Sequence, residues 1–581
     1  MALTTFIMAS DTIAFFLLSS FFLLSPVVSV VPLLAPIDPS TACNSTLDPK
    51  FCKTVLPQRG SNNLYQYGRF SVAKSLSNAR KFLYLIDRYL AHKSNLSPTA
   101  SLALLDCQLL SELNIDILAA AEITLNDTDK LLDHQADKVH TLLSALVTNQ
   151  HTCSDGLHAT ESAWSIKNGL SVPMHNSTKL YGVSLALFKR AWEPHRKNRN
   201  HKVVSPSRVS RRKTLLFHEV AVGRDGELPL RMPGQKRELF EKWSGRRLLQ
   251  ATDAVLVNDV VRVSQDGSGN FATITDAVKS APVDHDENTG YHLIYVAAGV
   301  YEEYVVIPKH KKHLMMIGDG INQTVITGNH SVGDGWTTFT SSTFVALGHG
   351  FVAINITFRN AAGPAKYQAV AVLNNADMST FYRCSFEGYQ DTLYTHSMRQ
   401  FYRECDIYGT VDYIFGNAAV VFQNCNVYSR LPLPGQINTI TAQGRTDPNQ
   451  NTGTSMQSCN FLAAADLAAT ALCLESQESP MTYLGRPWKP YSRTVVMQSY
   501  MDSLIEPAGW VQWNSDDHAL NTLYYAEYNN SGPGSGTAGR IDWPGYLVIS
   551  ANDAINFTVS NFISGDQWLP MAGVPHDSGL V

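Results

Sequence analysis

Gln390–Gly416 reads QDTLYTHSMRQFYRECDIYGTVDYIFG, and Asp391 and Asp412 each sit in it inside a short apolar, aromatic-rich segment with the character of a buried strand. The two acids are 21 residues apart. That interval has no meaning in a helix or a hairpin. In a parallel β-helix it is about one coil, which would stack the two carboxyls on neighbouring rungs about 4.7–4.9 Å apart. Two carboxylates that close cannot both ionise freely, so their pKa values are expected to split into one acid and one base or nucleophile.

The period repeats outward from this stretch. Aligned on cysteine, the chain reads Phe381-Tyr-Arg-Cys384-Ser-Phe386, Tyr402-Arg-Glu-Cys405-Asp-Ile407, Phe422-Gln-Asn-Cys425-Asn-Val427 and Met456-Gln-Ser-Cys459-Asn-Phe461. A weaker copy, Phe351-Val-Ala-Ile354-Asn-Ile356, precedes them. The cysteine steps are 21, 20 and 34, the last lengthened by the polar insertion Gly435–Thr452. Gln368 and Gln390, 22 apart, read in the same register. Regular self-similarity of this kind marks a solenoid, whereas strand periodicity alone would also admit antiparallel strands.

At 581 residues the chain is expected to hold more than one domain. A net charge of −4 gives no electrostatic pull toward nucleic acid. The apolar run Ile13–Val31 lacks a basic flank, so residues 1–36 read as a cleavable signal peptide or a membrane anchor, with the signal favoured by nine N-x-[ST] sequons. The expectation is a secreted, extracellular protein. Nine cysteines then allow disulfides and leave a thiol over. The histidines show no metal-ligand spacing, so neither metal nor cofactor is expected.

Residues 37–193 are helical in character. Ala100–Ile123 and Asp133–Leu146 place Leu, Ile and Ala at helical spacing opposite Asp, Glu and Gln. Four cysteines fall here, read as the pairs Cys43–Cys52 and Cys107–Cys153. With TACNSTLDPKFC at the first pair, the region resembles the invertase and pectin methylesterase inhibitors, which are four-helix bundles. Residues 194–255 have linker composition: Arg196–Lys213 holds eight Lys/Arg and no acid. Two dibasic sites, Arg211-Arg212-Lys213 and Arg246-Arg247-Leu248-Leu249, suit a subtilisin-like processing protease acting on an exposed tether. Cleavage at the second would release the strand-rich domain whole.

Residues 256–581 open with Gly267-x-Gly269-x-x-Ala272, which mimics a dinucleotide fingerprint. No βαβ series comes after it, and a turn into a short capping helix over Thr273–Ala281 is the better reading. Five motifs stand in order beyond it: Gly299-Val-Tyr301-Glu-Glu303, Gln368-Ala-Val-Ala-Val372, Gln390-Asp391-Thr-Leu-Tyr394, Gly409-Thr-Val-Asp412-Tyr-Ile-Phe-Gly416 and Leu484-Gly-Arg486-Pro-Trp488. Together they resemble the plant pectin methylesterases. The resemblance implies an all-β right-handed parallel β-helix behind the all-α bundle, and hydrolysis of homogalacturonan methyl esters to pectate and methanol.

By the same resemblance Asp412 is the nucleophile, held by Arg486, and Asp391 the proton donor and later base. Gln390 and Gln368 stabilise the oxyanion. Gln368, Arg486, Trp488 and Thr338 bind substrate, with Tyr394 offering a further face. Tyr301 and Glu303 read as scaffold. The resemblance also implies a Cys425–Cys459 bridge, while Cys384 is left open between Cys405 and a free thiol. Implied partners are methylesterified pectin, the processing protease and inhibitor proteins, with a monomeric mature form. Tyr413 stands where Phe is commoner, adding a hydroxyl that needs a partner. Leu373 stands where Arg is usual. A lyase or galacturonase on the same fold would need acidic clusters that are missing, and a serine esterase would need G-x-S-x-G. A wall-binding module without activity is the non-enzymatic alternative, and the intact Asp391, Asp412 and Arg486 argue against it.

Overall fold

The computed structural model describes residues 34–58, 60–92, 94, 96–193, 230–246, 248, 254–473, 480–514 and 519–581. The apolar run Ile13–Val31, the first dibasic site, and Arg247 and Leu249 of the second lie outside them. Among the described residues no helix is long and apolar enough to cross a membrane.

Two short helices, α1 (Pro39–Cys43) and α2 (Pro49–Val55), precede four long ones: α3 (Leu64–Leu90), α4 (Pro98–Asp127), α5 (Asp133–Ala159) and α6 (Trp164–Trp192). Side-chain caps start them. Asn63 and Gln66 form a reciprocal capping box on α3, and Ser97 caps α4 ahead of Pro98. The four long helices bury Val72, Leu118, Leu143 and Phe188 between them. Disulfides join α1 to α2 through Cys43–Cys52, and α4 to α5 through Cys107–Cys153.

The rest is a parallel β-helix of three sheets, with twelve, eight and seven strands among the described residues. One coil runs Ser379–Tyr382, Ser385–Glu387, Leu393–Thr395, and the next Arg399–Arg403, Asp406–Gly409, Ile414–Gly416. The cysteine-aligned repeat has a physical cause. Arg383, Glu404, Asn424, Ser458 and Gln498 all hold φ between 52° and 56°. Each is the left-handed turn from the first sheet to the second, and the buried residue after it falls on one ladder: Cys384, Cys405, Cys425, Cys459, Ser499. Phe381, Tyr402, Phe422 and Met456 pair in register, and the first three rings stack at 5.1 and 4.7 Å. The weaker copy enters two residues later than its letters suggest, because Tyr382 pairs with Ile354 and so puts Ile356, not Ile354, in the cysteine column. Tyr413 donates to or accepts from Ser429 at 3.0 Å, which satisfies its hydroxyl.

Cys425 and Cys459 are not bridged, contrary to the sequence expectation; they are free buried thiols, as are Cys384 and Cys405. In-register parallel strands hold neighbouring Cβ atoms pointing the same way about one strand spacing apart. A disulfide wants convergent Cβ atoms about 3.8 Å apart. The Cys425 and Cys459 thiols instead donate to the carbonyls of Tyr402 and Phe422 on the preceding rungs, each at 3.6 Å.

The end of the solenoid is covered by α8 (Ile274–Ser280), as expected for the stretch after Gly269. Thr273 caps it, and the Glu303 carboxylate accepts the N–H groups of Ile274 and Thr275, both at 2.9 Å. Glu303 is thus a scaffold residue. Leu230–Arg231 adds a parallel strand beside Val255–Leu256, and α7 (Gly234–Ser244) buries Phe240 against Tyr295. Part of the stretch read as linker thus packs beside the first strand of the β-helix. Arg246 donates to the carbonyls of Gly318 and Asp319, and Leu248 is buried, so these two residues of the second dibasic site pack against the β-helix. A short amphipathic helix in a charged segment is easily read as tether.

Candidate active site

Three rungs of the seven-stranded sheet bring the chemistry together. Leu393 pairs with Ile414 and Ile414 with Thr441, so Asp391, Asp412 and Thr439 occupy one column on successive rungs. Both acids hold left-handed backbone, φ 62° and 52°, in the turn entering their strands. Non-glycine residues in that region are strained, and such strain gathers at functional sites. The Asp391 N–H donates to the Val411 carbonyl at 3.0 Å, locking one turn onto the next.

Asp412 is held on every side. Arg486, just past strand Thr482–Gly485, donates Nε to Oδ1 at 2.8 Å and Nη2 to Oδ2 at 2.7 Å, a bidentate fork. Thr439 Oγ1 donates to Oδ1 at 2.7 Å and accepts the Asp412 N–H at 2.9 Å. Burial works against the Arg486 charge, but the Asp412 carboxylate prevails and raises its pKa. The Arg486 guanidinium also lies 4.4 Å over the Trp513 ring. Asp391 has no such partner. Burial first, and the Asp412 charge second, push its carboxyl well above the usual range, and Arg486 only partly offsets them. The two acids thus differ: Asp412 is paired with a cation, and Asp391 favours its proton.

A cavity of about 1130 Å³ opens over this pair, lined among others by Thr338, Gln368, Gln390, Tyr394, Arg486 and Trp488. Every substrate and catalytic residue expected from sequence therefore borders one space. Gln368 and Gln390 do not share a column, since the rungs step by 21 there and the glutamines by 22. Their side-chain amides have no hydrogen-bond partner among the described residues and are free to donate. Tyr394 is buried, stacked on Phe415 at 4.1 Å, so it supports the floor rather than offering a face. Trp488 is half-buried, edge-on to Phe415 at 6.1 Å. Gly444 makes room for it: a Cβ there would stand 2.7 Å from the indole. The described residues contain no group of three or more His, Cys, Asp or Glu that could hold a metal ion.

Sequence reasoning missed Thr439 and Trp513, and missed that the cavity has a roof from the helical domain. Thr337 Oγ1 donates to Asp106 Oδ2 of α4 at 2.6 Å. Thr152 of α5 meets His396 Nε2 at 2.9 Å, and Asp155 pairs with Lys489 at 2.8 Å. Burial raises Asp106 to about 7 and drops His151 to about 4 and His396 to about 3. Leu104, Leu110 and Leu170 share one apolar cluster with Phe339, Leu373, Tyr394 and Phe415 across the interface. Leu373, where arginine was expected, is wholly buried beneath this contact. No local signal in either half would have revealed pairs so distant in sequence.

A profile described as Pectinesterase matches residues 259–566, and one described as Plant invertase/pectin methylesterase inhibitor matches residues 38–187. The chain is 54% identical to a probable pectinesterase/pectinesterase inhibitor 41 of Arabidopsis thaliana, over 93% of this chain and 94% of that one. It is 53% identical to a probable pectinesterase/pectinesterase inhibitor 20 of the same plant, over 94% of each. The solved pectin methylesterase from carrot is similar with a TM-score of 0.53 and 51% identity, covering 55% of this chain and 98% of that one.

Proposed function

This chain belongs to the pectinesterase family, in the form that carries an inhibitor-type helical domain, and from that premise we propose an aspartyl acyl-enzyme route for methyl-ester hydrolysis on homogalacturonan. The Asp412 carboxylate, aimed by Arg486 and Thr439, attacks the C6 carbonyl of a methylated galacturonate. The oxyanion that forms is met by the free amides of Gln368 and Gln390, neutral donors that stabilise charge as it develops. Collapse breaks the bond to the methoxyl oxygen, which takes the Asp391 proton and leaves as methanol. Asp391, now charged, deprotonates a water. That water attacks the anhydride carbonyl, returning the Asp412 carboxylate, the Asp391 proton and a free galacturonic acid group, which ionises in solvent. Trp488 offers a face to a sugar ring, and Thr338 borders the same space.

The observation that carries this reading is the asymmetry of the stacked pair: one carboxylate in a bidentate fork, the other buried without a cation of its own. It is tested by methanol release from methylated pectin by residues 230–581, with an Asp412→Ala variant as control. Methanol without chain shortening or unsaturated ends supports the esterase; turnover that survives Asp412→Ala refutes the assignment.

The helical domain is read as autoinhibitory. It contributes Asp106, Thr152 and Asp155 to the cavity wall, over the side on which a polymer would lie. The full chain is expected to release methanol far more slowly than residues 230–581, and equal rates would refute this. Two disulfides fit an oxidising compartment, which supports the secretory pathway and the cell wall as the site of action. A subtilisin-like protease acting on the basic segment, and a monomeric mature enzyme that inhibitor proteins of the helical class can also meet, complete the proposal.

A further inference from the structure

Three aromatic rings from two segments of the chain stack face to face, the last of them at the active-site cavity. Tyr304, between strands Gly299–Glu302 and Val305–Ile307, lies 3.6 Å from His330 at 13°. His330, just past Thr324–Gly328, lies 3.6 Å from Trp336 at 14°. The stack is anchored. The Tyr304 hydroxyl accepts the Asn329 N–H and donates to its Oδ1, both at 3.0 Å. Gly328 leaves room for the Tyr304 ring, which a Cβ there would approach to 2.7 Å. The Trp336 N–H donates to the Ser331 carbonyl at 3.2 Å, and the Val332 N–H to the Gln368 carbonyl at 2.9 Å, tying this loop to the oxyanion glutamine.

Trp336 borders the cavity that holds Asp391 and Asp412. Its position along the solenoid gives it a meaning. In the seven-stranded sheet the rungs run Thr482–Gly485, Asn438–Gln443, Ile414–Gly416, Leu393–Thr395, Val372–Asn374, Phe344–Ala346. Trp488 follows the first of these strands and Trp336 precedes the last, so the two indoles belong to segments joined to rungs on opposite sides of the carboxylate pair. A stacked indole loses little freedom when it binds, because its rotamer is already fixed by His330 and Tyr304.

We propose that Trp336 is an outer subsite platform, binding a uronic acid ring of the pectin chain on its face away from His330, at the end of the groove opposite Trp488. This rests on the esterase reading above and adds a length dependence to it. In the uncut chain Thr99 of α4 donates to the Gly335 carbonyl at 3.2 Å, so the helical domain occupies this end too.

The test uses full chain cut by trypsin within residues 194–229, with the helical domain separated, acting on methylated galacturonate trimers and on octamers. Trp336→Ala is expected to raise KM for the octamer about 3- to 10-fold, with kcat within twofold and the trimer KM within twofold. Trp336→Phe is expected to restore most of the octamer KM. Circular dichroism and thermal unfolding of each variant identify any that fails to fold, and Tyr304→Ala, which loosens the stack from its far side, then serves in its place with a smaller rise in the same direction. An octamer KM unchanged, or trimer and octamer shifted alike, with wild-type enzyme active, overturns the subsite alone. Wild-type enzyme that releases no methanol from either length overturns the esterase reading and the subsite with it.

Discussion

Thr439→Val probes the part of the site that only the folded chain brings together. Valine keeps the shape of threonine but neither donates nor accepts. The change deletes the 2.7 Å bond to Asp412 Oδ1 and leaves the Asp412 N–H without its acceptor at 2.9 Å. Thr439 is wholly buried, so water does not replace the hydroxyl. A hydrogen bond to a charged group is worth about 1.5–3 kcal/mol. At about 1.4 kcal/mol per tenfold, losing the bond in the attacking geometry should cut kcat roughly 10- to 150-fold. Thr439 faces Asp412 rather than the substrate, so KM should move less than threefold. The assay is methanol release by residues 230–581 on methylated pectin, alongside thermal unfolding to confirm the fold. A folded Thr439→Val variant with kcat within threefold of wild type would refute the claim that this hydroxyl positions the nucleophile.

The same geometry has other consequences. Asp391→Asn should abolish turnover while changing how stability depends on pH. The native Asp391 pKa is raised, so its contribution to stability is whole below the ordinary carboxylate range and is lost as pH rises through the raised value. The Asn variant should therefore melt higher than wild type at pH 9, with the gap closing toward pH 4; a gap that widens in acid contradicts the assignment. Asp106→Ala, which removes the contact to Thr337, should raise methanol release by the full chain about 2- to 10-fold, on the scale of one neutral hydrogen bond. No change would show that α4 does not latch the groove. Thiol titration of the unreduced, denatured chain should count at least four free thiols, since Cys384, Cys405, Cys425 and Cys459 are all unpaired. A count of three or fewer would restore a bridge in the ladder.

The solenoid was legible because an in-register parallel stack repeats the same demand at each coil. A left-handed turn residue, a small buried residue after it and an aromatic two places before that turn recur at Arg383, Glu404 and Asn424. Asp391 and Asp412 were found by that same period. Thr439 was not, because the step from Asp412 is 27 residues, lengthened by the loop that precedes strand Asn438–Gln443. The unbridged Cys425 and Cys459 escaped because sequence spacing places two cysteines on neighbouring rungs without giving the direction of their Cβ bonds. The strand at Leu230 and the helix α7 look like tether in the letters, and their structure comes from pairing with Val255 and packing on Tyr295. The roof over the groove depends on shape complementarity between two separately folded halves. Local pattern carries no trace of that.

The most direct test is the methanol-release rate of Asp412→Asn in residues 230–581 against wild type. Asparagine keeps the size and shape of the side chain on its rung and removes only the nucleophilic carboxylate. The expected result is a fall of about 10⁴-fold or more in kcat, with the fold and pectin binding retained. A folded Asp412→Asn enzyme that keeps a tenth of wild-type turnover would contradict the account, because the attack would then belong to another group.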